Sequence, residues 1–218
     1  MNRKNDPVAR YYASSTQAAD AALSRAERAN DLARVRERLV QLVRGQTVLE
    51  LACGTGYWTE VIAEAADKVL ATDILDEMLA RAQRRRYPEG EVAFRRVDGL
   101  DLPDDLGTFS CVFIGFWWSH LKRDEQDGLL AQLRARLGRD VTLILLDDVY
   151  VEGSSTTVAR TDAQGNTYEI VAAPDGERFE LPKSYPADSA LRKRLGGDVR
   201  EIRIERLTYY WMLTCRLK

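Results

Sequence analysis

One nine-residue run, Val48-Leu49-Glu50-Leu51-Ala52-Cys53-Gly54-Thr55-Gly56, constrains the fold of this chain more than any other sequence feature. Its apolar first half predicts a buried strand, its two glycines predict a tight turn, and the segment that follows to about Ala66 predicts a helix. Glycine lets the backbone approach a ligand closely, and a helix N-terminus presents free N–H groups to it. The run therefore predicts a strand–turn–helix unit that binds a ligand at its turn.

Further apolar segments alternate with helical patterns along the first 150 residues. The predicted strands after the first are Lys68–Thr72, Val92–Val97, Phe109–Gly115 and Val141–Leu146. Such alternation is typical of a parallel sheet built from right-handed crossovers, with helices on both faces. Two closing strands, Glu201–Ile204 and Leu207–Leu217, are predicted to meet through a very tight turn. The predicted fold class is α/β, with a seven-stranded, mostly parallel sheet in which the last strand is antiparallel.

The chain is predicted to form one domain over residues 1–218, with four parts. Residues 1–44 are expected to be an N-terminal helical lid segment with a helix over Thr16–Val43, and residues 45–150 the ligand-binding core. Turn signals at Gly165-Asn166 and Asp175-Gly176 predict that residues 151–186 form a hairpin-like insertion after strand 5 that covers a substrate, built from Val158–Val171 and Arg178–Leu181. Residues 187–218 are expected to hold a closing helix and the last strands.

The Glu50–Gly56 segment resembles the first motif of the class I S-adenosylmethionine-dependent methyltransferases. The resemblance continues in the family's order at three further segments: Val69-Leu70-Ala71-Thr72-Asp73, Met78-Leu79 with Ala82, and Arg96-Val97-Asp98-Gly99-Leu100. It covers about residues 45–150 well and the last two strands more weakly. The resemblance implies a Rossmann-like fold, S-adenosyl-L-methionine as the cofactor and methyl transfer as the activity.

A dinucleotide-binding fold shares the strand–glycine–helix unit, but its fingerprint differs here. It requires a third glycine or alanine where Thr59 stands, and it has no use for an acidic residue at Glu50. The resemblance implies that Asp73 accepts the ribose hydroxyls and that Asp98 accepts the adenine amino group. Taken singly, each of these carboxylates would also suit a helix cap or a loop end. The predicted cofactor-binding residues are Tyr11, Glu50, Ala52, Gly54, Gly56, Trp58, Asp73, Ile74, Met78, Asp98, Gly99, Leu100 and Phe116.

His120 is the only histidine, and it follows the fourth predicted strand, at the sheet edge that faces the ligand crevice. It is predicted to be catalytic, taking a proton from a hydroxyl or amine of the acceptor. The alternative is a helix-start histidine that only hydrogen-bonds backbone. Adjacent strand residues point in opposite directions, so only one of Trp117 and Trp118 is expected to wall the pocket. The predicted substrate-binding residues are Tyr12, Trp117, Trp118, Arg160, Tyr168, Lys183 and Tyr185.

Composition excludes several other classes of function. The formal net charge is -2 and the pI is about 5.7, which lacks the basic footprint of nucleic-acid binding. Three scattered cysteines without CxxC spacing, beside one histidine, predict no metal site and a reducing compartment. The polar Met1–Ala9 stretch and the lack of a long apolar run predict a cytoplasmic protein without a membrane partner.

The family's base-methylating members carry an Asn/Asp-Pro-Pro-Tyr-type motif where this chain has Ile114-Gly115-Phe116-Trp117. This departure favours a small-molecule metabolite as the acceptor, methylated on oxygen or nitrogen by a monomer or homodimer. Two alternatives stay open. One is a methyltransferase for a peptide or protein terminus, and the other is a non-catalytic S-adenosylmethionine-binding regulatory protein.

Overall fold

A seven-stranded sheet forms the centre of the computed structural model, which describes residues 6–16, 20, 23–88 and 91–218. Its strands are β1 (Thr47–Leu51), β2 (Lys68–Asp73), β3 (Glu91–Arg96), β4 (Cys111–Gly115), β5 (Thr142–Asp148), β9 (Val199–Arg206) and β10 (Tyr210–Leu217). The α-helices of the described residues are α1 (Pro7–Ser14), α2 (Ala29–Val43), α3 (Tyr57–Ala63), α4 (Asp76–Ala82), α5 (Arg123–Leu137) and α6 (Asp188–Leu195). Short 3-10 turns at Ala26–Arg28 and Trp118–His120 precede α2 and α5.

The strand order is β3-β2-β1-β4-β5-β10-β9. β1 pairs in parallel with both β2 and β4, and β4 pairs in parallel with β5. β10 is antiparallel to both of its neighbours, β5 and β9, so it alone reverses direction. The predicted α/β class and the antiparallel last strand are therefore confirmed. The strand order reverses between β1 and β4, which places a ligand crevice at the carboxyl ends of these strands.

Successive residues of the central strands enter two different cores. Val48 packs with α2 and α3 on one face of the sheet, and its neighbour Leu49 packs with α5 and α6 on the other. The α5 residues that reach the core, Leu129, Leu130 and Leu133, recur at helical spacing on one side. Because both faces are covered, the strands are nearly continuous apolar runs, as expected for a parallel sheet.

Residues after β5 form a separate three-stranded antiparallel sheet rather than one hairpin. Its strands are β6 (Arg160–Thr161), β7 (Thr167–Ala172) and β8 (Arg178–Pro182). The hairpin-like insertion predicted over Val158–Val171 and Arg178–Leu181 thus has a third strand, because a turn at Gly165-Asn166 divides its first segment into β6 and β7. The Asp162 carboxylate accepts the backbone N–H groups of Gln164 and Asn166, and Gly165 has a positive φ of 80°. Both features fix a tight reversal between β6 and β7.

The helical pattern at the N-terminus is also divided. The predicted helix over Thr16–Val43 corresponds to α2 and the 3-10 turn before it, and part of its first half lies outside the described residues. The predicted lid segment likewise includes residues 1–5, which lie outside them. Across the described ranges, no helix combines the length and apolar character needed to cross a membrane.

Candidate functional site

A cavity of about 570 Å³ lies over the carboxyl ends of β1, β2 and β4. Its floor and walls come from the glycine turn after β1, the segments after β2 and β3, and the segment after β4. Its roof comes from α1 and from the three-stranded sheet, two parts of the chain that have no place in the main sheet. The volume is within the range of roughly 300–1,000 Å³ that is usual for small-molecule sites.

The two glycines of the turn have different environments. Gly54 lines the cavity with φ +55°, and a Cβ added there would meet nothing within 4 Å. Gly56 has φ +81°, and a Cβ added there would lie 2.6 Å from Tyr87 Oη and 2.8 Å from Ala82 Cβ. Gly54 therefore gives a ligand access to the backbone, whereas Gly56 lets α3 begin close against α4.

Asp73 ends β2 and holds the glycine turn in place. Its carboxylate accepts the backbone N–H groups of Gly54 and Leu75, each at 2.9 Å. Burial raises the pKa of Asp73, and these backbone hydrogen bonds oppose that rise. Asp98 follows β3, accepts the Leu100 N–H at 2.9 Å and also lines the cavity. Two carboxylates thus stand at the ends of neighbouring strands.

Glu50 lies beneath the turn rather than in the cavity. It is 1% exposed, and its Oε2 accepts the Thr59 hydroxyl at 2.6 Å. Burial raises the pKa of Glu50 to about 8, although the Thr59 hydrogen bond opposes this. Thr59, which stands where a dinucleotide-binding fingerprint has its third glycine or alanine, is thus the hydrogen-bond partner of the buried Glu50. The structure places both Glu50 and Gly56 outside the cavity lining, where they support the turn.

His120 is enclosed between α1 and β8. Its Nδ1 lies 2.8 Å from the Pro182 carbonyl oxygen, so Nδ1–H donates there, and its Nε2 then accepts the Tyr12 hydroxyl at 3.2 Å. Burial lowers the pKa of His120 to about 3, and the charge of Lys183 lowers it further. The imidazole is therefore neutral near pH 7, and its basic nitrogen already accepts a hydrogen bond from Tyr12.

A cluster of buried charges adjoins His120 at the end of β5. Lys183 Nζ lies 3.2 Å from Asp147 Oδ1 and 2.9 Å from Asp148 Oδ2, and Arg28 Nη1 lies 3.1 Å from Asp148 Oδ1. Burial alone would lower the pKa of Lys183. The charges of Asp147 and Asp148 outweigh this effect and raise the pKa of Lys183 well above its usual value. Glu169, from β7, also lines the cavity, and burial raises its pKa.

The roof is joined by contacts between α1 and the three-stranded sheet. The rings of Tyr11 and Phe179 meet edge to face with centres 5.8 Å apart. Arg10 and Glu177 form an ion pair at 2.6 Å in which both side chains are about half exposed. With the Tyr12–His120 hydrogen bond, these contacts attach the N-terminal helix to the structure that follows β5.

Most of the predicted site residues line this one cavity. Those that do are Tyr11, Tyr12, Ala52, Gly54, Trp58, Asp73, Ile74, Met78, Asp98, Gly99, Leu100, Phe116, Trp117, His120, Lys183 and Tyr185. Of the adjacent Trp117 and Trp118, only Trp117 reaches the cavity. A Cβ at Gly99 would lie 2.5 Å from the Trp117 ring, so the glycine makes room for that ring. Trp118 is 1% exposed in the core below.

Arg160 and Tyr168 do not belong to the cavity. Arg160, in β6, donates two hydrogen bonds to Glu180 in β8, and its guanidinium carbon lies 3.8 Å from the centre of the Tyr168 ring. The Tyr168 hydroxyl donates to Asp162 in the β6–β7 turn. Both residues, predicted to bind substrate, make these contacts within the three-stranded sheet, and the structure does not place them in the cavity lining.

Among the cavity-lining residues that the sequence interpretation did not single out are Arg28, Asp148, Glu169 and Tyr210. Asp148 could have been found, because it ends a parallel strand at the edge where ligands bind. Arg28, in contrast, lies in an ordinary helical pattern, and its contacts with Asp148, 120 residues away, and with Ser154 bring it to the site. The described residues hold no cluster of three or more His, Cys, Asp or Glu side chains arranged to bind a metal.

Comparison with known proteins agrees with this geometry. Residues 48–140 match the family model described as "Methyltransferase domain". Demethylmenaquinone methyltransferase of Clavibacter sepedonicus is 37% identical over 79 residues, which cover 36% of this chain and 32% of that protein. The enzyme of the same name from Bacillus licheniformis is 31% identical over 82 residues, covering 36% and 35%. The matched segment thus spans about a third of the length of these curated relatives.

Similarity to solved structures extends over nearly the whole chain. The structure of DhpI in complex with SAM and HEP superposes with a TM-score of 0.73, covers 93% of this chain and 94% of that chain, and is 23% identical. A complex of DhpI with SAH gives the same TM-score. At this level of identity the similarity shows a shared fold.

Proposed function

This chain belongs to the class I S-adenosylmethionine-dependent methyltransferases, and we propose that it transfers the methyl group of this cofactor to an oxygen or nitrogen of a small molecule. One observation carries the proposal: a single cavity joins the glycine turn, Asp73 and Asp98 to a buried polar cluster around Tyr12 and His120. The relatives named demethylmenaquinone methyltransferase have a small molecule in their name, which supports an acceptor of that size.

The residues of the cavity fit the cofactor. Each oxygen of Asp73 accepts one backbone N–H, and a carboxylate oxygen has capacity for a second hydrogen bond, so Asp73 can accept the ribose hydroxyls. Asp98 and Leu100 would hold the adenine, and the open space at Gly54 would receive the methionine end. When bound, the cofactor supplies an electrophilic methyl group on a sulfonium sulfur.

The protein's own contribution is to position the acceptor, exclude water and receive a proton. Two groups at the acceptor side can receive it. His120 can do so through Tyr12, which donates to its Nε2, and Glu169 can do so directly as a buried carboxylate. Because burial lowers the pKa of His120 to about 3 and raises that of Glu169, the carboxylate is the stronger base of the two at this site.

Calorimetry with S-adenosylhomocysteine and with NAD tests the cofactor assignment. We expect S-adenosylhomocysteine to bind in the micromolar range and NAD to show no binding. Asp98→Asn should weaken binding of S-adenosylhomocysteine by about 1–3 kcal/mol, the scale of hydrogen bonds that involve a charged group. The matched control is Asp105→Asn, which removes an exposed carboxylate outside the cavity. Binding of NAD without binding of S-adenosylhomocysteine would refute the assignment.

Release of S-adenosylhomocysteine, measured over a panel of small hydroxyl and amine acceptors, tests the catalytic role. With an active acceptor, His120→Ala should lower turnover by about 10²–10⁴-fold if His120 is the general base. Glu169→Gln should have that effect if the carboxylate is the base, and Tyr12→Phe separates a relay through Tyr12 from direct transfer. Turnover within a few-fold of wild type in all three variants would reduce these residues to structural roles. Turnover only with peptide acceptors would favour the peptide-terminus alternative, and none with any acceptor the regulatory one.

We also infer that the two parts of the roof move when ligands bind. Both parts line the cavity, and neither belongs to the main sheet. Hydrogen exchange with and without S-adenosylhomocysteine should therefore show increased protection over residues 6–16 and 151–186 in the complex. Unchanged protection in both segments would contradict a moving lid.

A further inference from the structure

Glu169 is a buried carboxylate on the inner face of the three-stranded sheet, and its side chain is only 8% exposed. It stands opposite Leu181 in the β7–β8 register, and both residues line the cavity. Val171, two residues further along β7, lines the cavity as well, whereas Ile170 between them is exposed. Because strand side chains alternate between the two faces of a sheet, the Glu169 carboxylate projects into the cavity from between apolar side chains.

This carboxylate has no hydrogen-bond donor of its own. Within the described part of the chain, its oxygens accept no hydrogen bond and form no ion pair. The unpartnered polar atoms that are fully enclosed belong to other residues, so the Glu169 oxygens remain accessible from the cavity. A buried carboxylate without hydrogen bonds is costly, and a ligand group that donates to it would remove this cost.

The buried charges beside Glu169 already compensate one another. Arg28 and Lys183 supply two positive charges, and they pair with the carboxylates of Asp148 and Asp147. Burial raises the pKa of Glu169, the charge of Lys183 opposes this rise, and the charges of Asp148 and Asp147 add to it. Glu169 therefore brings a negative charge that no cation of this cluster neutralises, and the site favours a positive charge from a ligand.

Aromatic rings stand close to the same carboxylate. Tyr11, Tyr12 and Tyr185 all line the cavity. Burial raises the pKa of each of these tyrosines, and the negative charge of Glu169 raises it further, so the carboxylate lies near all three hydroxyls. The face of an aromatic ring attracts a cation and adds to the attraction of a carboxylate.

We propose that the methyl acceptor carries a basic amine and that Glu169 binds this amine as an ammonium group. An ammonium group can only donate hydrogen bonds and an ionised carboxylate can only accept them, so the two match in both charge and hydrogen bonding. A carboxylate or phosphate at this position would instead be repelled by Glu169. The inference rests on the proposed function, which supplies the acceptor, and it makes Glu169 the residue that determines acceptor charge.

Titration of the wild-type protein with three probes of similar shape tests the preference for a cation. The probes are phenethylamine, phenethyl alcohol and phenylacetate, which share one aromatic ring and are cationic, neutral and anionic at neutral pH. Saturating S-adenosylhomocysteine is included, so that the probes cannot occupy the cofactor's part of the cavity. Calorimetry should then give the tightest binding for phenethylamine and the weakest for phenylacetate.

Glu169→Gln removes the negative charge with little change in shape. Phenethylamine should bind this variant about tenfold or more weakly, the scale of a hydrogen bond to a charged group. Phenethyl alcohol should bind it unchanged and phenylacetate more tightly, whereas structural damage would weaken all three probes alike. The matched control is Glu180→Gln, since Glu180 lies in the same sheet but pairs with Arg160 outside the cavity. This control should bind all three probes as wild type does.

The proposal is overturned if phenethylamine binds the wild-type protein no better than phenylacetate, which includes the case in which neither binds. It is also overturned if Glu169→Gln leaves the affinity for phenethylamine unchanged or weakens the three probes equally. The wild-type ranking decides the question even if the variant does not fold. Failure of the proposed function gives a different result, because wild-type protein would then not bind S-adenosylhomocysteine, while titrations without it would still report the charge preference at Glu169.

Discussion

Alanine substitutions at Gly54 and Gly56, the two glycines of the β1–α3 turn, distinguish a glycine that the fold requires from one that leaves room for a ligand. At Gly56 the new Cβ would lie 2.6 Å from Tyr87 Oη, 2.8 Å from Ala82 Cβ and 2.9 Å from Ala82 Cα. These distances are well inside normal contact, and one neighbour is backbone that cannot swing aside. At Gly54 the same methyl group meets nothing within 4 Å. Both residues have positive φ, so both variants carry the cost of a left-handed conformation.

The expected costs follow from these two terms. A left-handed residue with a Cβ costs roughly 1–2 kcal/mol, and overpacking a filled site adds roughly 1–3 kcal/mol. Gly56→Ala should therefore lower the free energy of unfolding by about 2–5 kcal/mol, and Gly54→Ala by only about 1–2 kcal/mol. For a chain of this size, 1 kcal/mol corresponds to roughly 2–4 °C in Tm, so the two variants should be clearly resolved by thermal unfolding.

Ligand binding should rank the two variants in the reverse order. The added methyl group at Gly54 enters the cavity where the methionine end of the cofactor is proposed to lie, so Gly54→Ala should weaken S-adenosylhomocysteine by at least about tenfold. Gly56→Ala should bind it normally at temperatures where the variant is folded. Urea unfolding and calorimetry on both proteins measure the two effects. Equal stability of the two variants, or an unaltered affinity in Gly54→Ala, would refute this reasoning.

Three further predictions concern buried charge. Lys183→Met should lower the free energy of unfolding by about 3–5 kcal/mol at neutral pH, because it leaves Asp147 buried without its cation. The double variant with Asp147→Asn should recover part of this loss in urea unfolding. The pKa of His120 is lowered from 6.5 to about 3, so the unfolded chain binds the extra proton between these values. Stability should therefore fall as the pH drops from about 6.5, by up to about 1.4 kcal/mol per pH unit, and His120→Gln should flatten this slope. The pKa of Glu50 is raised from 4.5 to about 8, so the folded chain binds the extra proton between these values and stability should fall as the pH rises from about 4.5 to 8. Unfolding of Glu50→Gln, measured at several pH values, should show no such loss.

The main sheet could be predicted from the sequence because the pairing of its strands follows from local patterns and from the lengths of the connections. Strand–helix alternation sets parallel pairing, and a short connection between the last two strands allows only an antiparallel pair, which the register of β9 and β10 confirms. The segment after β5 lacked such a rule. Gly165-Asn166 signals a turn within it, but the extent of β6 and β7 depends on backbone N–H groups that the Asp162 carboxylate accepts, and no periodicity reveals these contacts.

Site residues could be predicted where a motif fixes them to a strand end, as at Asp73 and Asp98. The cations could not be assigned in this way, since a positive side chain in an insertion pairs with whichever acid the register brings near. Arg160 meets Glu180 on the next strand but one, at the surface, whereas Lys183 enters the interior and meets Asp147 and Asp148. The sequence shows the same kind of residue in both places, and only tertiary contacts distinguish them.

The way α1 is attached to the three-stranded sheet determines how ligand exchange should respond to the solvent. The ion pair between Arg10 and Glu177 is half exposed, and such pairs contribute roughly 0–1 kcal/mol that salt screens away. The attachment also includes an aromatic contact between Tyr11 and Phe179 within an apolar cluster, and a shielded hydrogen bond from Tyr12 to His120. Separating these groups exposes apolar surface to water. The dissociation rate of a ligand held under this roof should accordingly change little with ionic strength and rise with modest concentrations of urea.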